Sequence, residues 1–124
     1  MIRLRYAPVW DAVGYLLVAV ILALSLMPDA PVPGGPDWGG HALAYFVLAA
    51  WFYAMFPERL WQVALGCLAL GGVIELIQGL LPFRDMDGFD FVADAVGVVL
   101  AWLLVGPRLR RAWRWFEGRI VGAL

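Results

Sequence analysis

A chain of 124 residues, 64% of them hydrophobic, with a mean hydropathy of +0.82, carries more apolar surface than a water-soluble domain of this size can bury; soluble domains run at roughly 45–50% apolar. The length allows one compact domain, and the composition assigns it to a bilayer. The net charge of −1 leaves no basic surplus for a nucleic-acid partner, and it hides an asymmetry, because the nine basic residues are all arginine and cluster along the chain.

The first apolar segment runs from about Val9 to Met27. Arg3 and Arg5 ahead of it fit a signal peptide, but the run is long for one. The small residue available for cleavage, Ala30, is followed by Pro31, so a retained helix is expected. A Pro/Gly-rich stretch over 28–36 cannot be helical throughout. The second segment, from about Gly40 to Phe56, is stopped by Pro57. The third, from about Leu60 to Leu81, is stopped by Pro82, and the fourth, from about Phe89 to Val105, by Gly106 and Pro107. Each is close to the ~20 residues needed to cross ~30 Å of hydrocarbon. Backbone polar groups in lipid must bond within their own segment, which makes these helices.

The expected fold is an all-α membrane protein: a transmembrane four-helix bundle over 1–106, followed by a basic amphipathic segment over 107–124. Arginine sets the orientation. With both termini cytoplasmic, Arg3, Arg5, Arg59, Arg108, Arg110, Arg111, Arg114 and Arg119 lie inside, and Arg84 alone lies outside. In the last segment Leu109, Trp113, Phe116 and Ile120 share a helical face, with Arg110, Arg111, Arg114 and Glu117 largely on others. That pattern predicts an interfacial helix on the inner leaflet, held by tryptophan and anionic lipid.

Several ionisable or polar residues remain inside this apolar frame, where each charge costs roughly 2.5–3.5 kcal/mol on insertion scales. Threading the helices brings them to one side. His41 lies at the outer end of the second helix, with Tyr45 one turn deeper on its face. Glu75 lies about 9 Å inside the outer end of the third at 1.5 Å per residue, with Gln78 on the same face. Asp90 and Asp94 stand at i, i+4 near the start of the fourth. Cys67 and Gly71 continue the Glu75 face inward, and Gly97 and Ala101 continue the Asp94 face. These two small-residue seams are expected to pack together. The result is an outward-facing pocket of His41, Tyr45, Glu75, Gln78, Asp90 and Asp94, with Arg84 in the adjoining loop. Each residue also has a plainer role. Asp90 fits a helix N-cap, Tyr45 an interfacial aromatic, and His41 a solvated helix end. Asp85 and Asp87 read as solvated loop charges. Glu75 is the hardest to explain without a partner or a proton.

The run Asp37-x-x-x-His41-x-x-x-Tyr45, then Ile74-Glu75-x-x-Gln78, then Pro82-Phe83-Arg84 with Asp90 and Gly97 beyond, resembles the VanZ-like family of small bacterial membrane proteins over about 37–101. The family often has lysine where Trp38 stands, asparagine where Asp94 stands and glycine where Ala101 stands. The pocket here is therefore more acidic than is typical of the family. The resemblance implies a multi-pass protein of the bacterial inner (cytoplasmic) membrane with a cell-envelope role, and a link to resistance against the glycopeptide teicoplanin.

Three functions fit. One is binding of a polar headgroup, on a lipid-linked envelope precursor, a phospholipid or a lipid-seeking glycopeptide, with Arg84 meeting a phosphate and Glu75 or Gln78 an amide or hydroxyl. A second is an enzyme in which His41, Glu75 and Asp90 act as acid and base or hold a divalent metal. No resident cofactor is otherwise expected, and neither Ser25 nor Cys67 is well placed as a nucleophile. The third is a satisfied polar network that locks the helices as a scaffold. Transport is disfavoured, because the polar groups do not continue to the cytoplasmic side.

Overall fold

A computed structural model describes residues 7–26, 38–81, 88–105, 108–116 and 118–119. The regular elements among them are helices: α1 (Ala7–Leu26), α2 (Trp38–Met55), α3 (Leu60–Leu80), α4 (Gly88–Leu104) and α5 (Arg108–Phe116). Arg84, Arg3, Arg5, the 28–36 stretch, Asp37, Asp85, Asp87, Glu117 and Ile120 lie outside the described residues. So do the side chains of Trp38, Leu109, Arg110 and Trp113.

The expected breaks fall where the prolines put them. A residue before proline is pushed out of the α region, and α2 stops at Met55 ahead of Pro57. The chain then turns in one step, with the Arg59 N–H donating to the Phe56 carbonyl at 3.0 Å, and α3 starts at Leu60. α3 ends at Leu80, with the Leu81 N–H closing the last turn onto the Gln78 carbonyl at 3.2 Å. Two helices, Ala7–Leu26 and Leu60–Leu80, are long and apolar enough by length and composition to cross a bilayer, and Gly39–Met55 forms a shorter apolar helix.

α2 is the core of the bundle. Ala49, Tyr53 and Ala54 are wholly buried, and α2 touches each of the other four helices. α4 runs parallel to it, since the N-terminal turns of both meet through His41 and Asp94 and their C-terminal halves meet through Tyr53 and Trp102. α1 runs antiparallel to α2, with Trp51 Nε1 donating to the Trp10 carbonyl at 2.9 Å. α3 runs antiparallel to α4, where Gly71 faces Asp94. α1 is the most peripheral of the long helices, burying only Ala7 and Gly14 fully.

The small-residue seams do not meet as the sequence suggested. Gly97 of α4 packs on the backbone of α2, where a Cβ would meet the Ala42 carbonyl and come within 2.9 Å of the Phe46 nitrogen. Gly71 of α3 instead makes room for the Asp94 side chain, whose Oδ2 lies 2.9 Å from where its Cβ would stand. The physical reason is that α2 carries its own small residues, Ala42 and Ala49 among them. They let α4 approach α2 more closely than α3 does, since backbones approach where side chains are smallest.

α5 is a nine-residue helix packed against α2. Its Phe116 ring meets Trp10 edge-on at 6.1 Å, so part of the apolar face assigned to lipid is used on the protein itself. Trp115 remains exposed, with the Arg119 guanidinium 5.5 Å from its ring centre. Arg108 donates to the Leu104 carbonyl at 3.4 Å, a cation at the free carbonyls that end α4.

Candidate functional site

The ends of the bundle differ in chemistry, and the histidine and carboxylates of α2, α3 and α4 lie toward one of them. His41 stands in the first turn of α2, and Asp90 and Asp94 one turn apart on α4. Residues four apart share a helix face, so the parallel pairing of α2 with α4 sets the imidazole between two carboxylates. Asp94 Oδ1 accepts from His41 Nδ1 at 3.1 Å, and Asp90 Oδ2 lies 3.8 Å from His41 Nε2. The side chains grade in exposure from His41 at 26% through Asp90 at 17% to Asp94 at 2%. Asp94 is thus a buried carboxylate whose cost is offset by a charge-assisted hydrogen bond, while the Nε2 side of the ring opens outward with Asp90.

Glu75 and Gln78 of α3 are buried. Glu75 lies four residues after Gly71, on the α3 face whose Gly71 notch holds Asp94, one turn beyond it. Gln78 does not reach His41. Its Nε2 donates to the Ser25 carbonyl of α1 at 2.8 Å, while its Oε1 is buried without a hydrogen-bond partner among the described residues. Sequence reasoning missed this link, because the acceptor is a backbone group; the available signal was that the last carbonyls of any helix lack intrahelical donors. Tyr45 lies in the core, 3% exposed and packed with Leu48 and Val98. It floors the cluster and does not line an opening. Arg84 falls outside the described residues.

Of the sequence candidates, the structure brings His41, Asp90 and Asp94 together, with Glu75 on the α3 face that meets Asp94 and Tyr45 buried in the core. Gln78 lies at the same end but turns to α1. Among the described residues no three His, Cys, Asp or Glu side chains group as a ready ligand set for a metal. Among the described residues, two of the apolar grooves lie elsewhere. One, of about 190 Å³, is walled by Val18, Leu48, Phe52, Val63, Cys67 and Leu70 between α1, α2 and α3. The other, of about 340 Å³, follows the outer face of α4 over Phe91, Ala95 and Val99.

The described arginines Arg59, Arg108, Arg111, Arg114 and Arg119 all belong to the opposite end, on the α2–α3 turn and on or just beyond α5. The fold and cluster together define a helical protein with two membrane-length helices and a histidine–aspartate cluster at one end. An uncharacterized protein of Schizosaccharomyces pombe is 35% identical to this chain in a 98-residue alignment that covers 75% of this chain and 60% of the relative. The chain thus spans less than two thirds of that relative's length. No family profile matches the chain, and no solved structure matches it.

Proposed function

We propose that this chain is a VanZ-like membrane protein of four spans, with both termini cytoplasmic, that binds the polar headgroup of a lipid at its outer end. Four spans are supported by exposed apolar side chains on α1 (Leu16, Leu24), α3 (Leu65, Leu76) and α4 (Val92, Val99, Leu103). A water-soluble monomer rarely leaves such a surface open. α2 and α4, at 18 and 17 residues, are about 26 Å long at 1.5 Å per residue, enough for a thin or locally adapted bilayer. The gathering of arginines at the end away from His41 supports the orientation.

The observation that carries the binding function is the His41 ring held between Asp94 and Asp90, partly exposed at 26% on the side of Asp90. A lipid headgroup is what reaches the end of a spanning helix. The VanZ resemblance supports a lipid-linked envelope precursor or a glycopeptide as ligand. The fission yeast relative supports a role not confined to bacteria, and a common phospholipid satisfies both. The test is native mass spectrometry of the detergent-purified protein. Wild type retains a specific lipid and His41→Gln loses it; equal retention by the two overturns the proposal.

One observation favours a second reading. A buried aspartate that fixes the Nδ1 side of a histidine and leaves Nε2 accessible is the arrangement of an oriented general base. On this reading His41 exchanges a proton with a headgroup hydroxyl or amine while Asp94 holds the ring. Incubation with a labelled lipid extract would reveal a changed headgroup that Asp94→Asn fails to produce, and an unchanged extract removes this reading.

A further inference from the structure

The way α5 meets the bundle leaves a charged face turned outward. An amphipathic helix lying alone on a bilayer buries its apolar face among acyl chains. Here α5 packs on α2, and its Phe116 ring lies edge-on against Trp10 at 6.1 Å, with Trp10 against Trp51 at 6.2 Å. At 3.6 residues per turn Arg108, Arg111, Arg114 and Trp115 fall within about 120° of arc, and Phe116 lies roughly 140–160° from Arg111 and Arg114. All four residues of that arc are exposed. Arg108 turns one N–H back to the Leu104 carbonyl at 3.4 Å. Among the described residues no carboxylate pairs with Arg111 or Arg114.

Two guanidiniums at i, i+3 stand side by side on a helix surface and repel one another. Each presents a planar fork of N–H donors that matches phosphate oxygens. The face lies at the end of the bundle where α1 starts and α2 and α4 finish, the boundary between spanning segments and headgroups. Trp115, exposed and with the Arg119 guanidinium 5.5 Å from its ring centre, is the residue type that settles at that boundary. We propose that the Arg111–Arg114 face of α5 binds the phosphate of an anionic phospholipid in the adjoining leaflet, the inner one in the orientation above. This needs the chain to span a membrane and is independent of headgroup binding at His41. Because Phe116 is spent on the protein, attachment depends on charge. An inserted apolar face holds neutral lipid as well, whereas arginines facing outward select anionic lipid over neutral.

The test uses the full chain in detergent with an equimolar mixture of phosphatidylglycerol and phosphatidylcholine, read by native mass spectrometry alongside thermal unfolding. Wild type should retain phosphatidylglycerol about tenfold over phosphatidylcholine, the scale of one to two arginines at an anionic surface. Arg111→Gln combined with Arg114→Gln, at exposed positions, should erase that preference with the unfolding midpoint in detergent unchanged. Arg111→Lys combined with Arg114→Lys keeps the charge and should keep most of the preference. The preference should also persist in His41→Gln, so that failure at the polar end and failure at α5 read separately. Equal retention of the two lipids, a preference that survives the double glutamine variant, or one that His41→Gln abolishes overturns the inference. A midpoint raised by polyuridylate or polyglutamate, with neither lipid preferred, assigns the face to a soluble polyanion and overturns the lipid.

Discussion

The two ends of the α2–α4 pair are built from opposite materials. At the arginine-bearing end the hydrogen bonds of Trp51 and Tyr53 are closed by backbone. Trp51 Nε1 donates to the Trp10 carbonyl at 2.9 Å and the Tyr53 hydroxyl to the Val98 carbonyl at 3.3 Å. Rings fill the remaining space, with Tyr53 against Trp102 at 5.7 Å, Trp10 against Trp51 at 6.2 Å and Trp10 against Phe116 at 6.1 Å, all edge to face. At the other end side chains face side chains, the described charges are mostly of one sign, and Gln78 Oε1 has no hydrogen-bond partner among the described residues. Packed aromatics with satisfied donors stabilise. Like charges held close together do not. On the proposed reading the same parallel helix pair carries stability at one end and headgroup recognition at the other.

The division breaks first if the aromatic end is not what holds the bundle. Tyr53→Ala removes a wholly buried ring, its hydrogen bond and its contact with Trp102. A loss of about 3–5 kcal/mol is expected, as for other large aromatics cut to alanine. Tyr53→Phe keeps the ring and should cost about 1 kcal/mol, the hydrogen bond alone. Both are read by thermal or denaturant unfolding in detergent, and equal costs for the two would mean that the ring contributes little. Next in size is Gly97→Ala. Its new Cβ meets the backbone of Ala42 and Phe46, which cannot rotate away, so about 1–3 kcal/mol is expected from overpacking. Because Gly97 sits between the two ends, lipid retention should fall along with stability.

Gly71→Ala acts at the polar end alone. Its Cβ would stand 2.9 Å from Asp94 Oδ2, the far end of a side chain that can turn aside. Turning aside moves Oδ1 from His41 Nδ1. The expected stability loss is about 1 kcal/mol, the size of one weakened hydrogen bond, with a larger fractional loss of bound lipid. If stability falls further than at Gly97→Ala while lipid binding holds, the polar end is structural and the division between the ends is wrong.

Helix positions were readable from the apolar runs and the prolines: α2 was expected from about Gly40 and begins at Trp38, and α3 was expected to Leu81 and ends at Leu80. The meeting of His41 with Asp90 and Asp94 was legible too, since depth in a bilayer orders residues along one axis, and helix spacing orders them around another. Which helices touch was not legible. Gly71, Gly97, Ala42 and Ala49 offer small surfaces on three helices, and several dockings satisfy the same pattern. The partner of Gly97 is α2 because the α2 backbone is bare enough to receive it. The Gln78 contact was hidden for another reason, in that its acceptor, the Ser25 carbonyl, has no side-chain identity.

The smallest effect tests whether the apolar groove between α1, α2 and α3 belongs to either end. Gly66 lies on that groove, and a Cβ there meets nothing within 4 Å. Glycine inside a helix costs roughly 0.5–1 kcal/mol relative to alanine through backbone entropy. Gly66→Ala adds a methyl to open space, so it should stabilise by about that amount and leave lipid retention unchanged. A destabilisation instead would mean that the groove is filled in the folded protein, by an acyl chain or a second chain. In that case recognition would extend down the bundle toward Tyr53, and the two ends would no longer be separable by mutation.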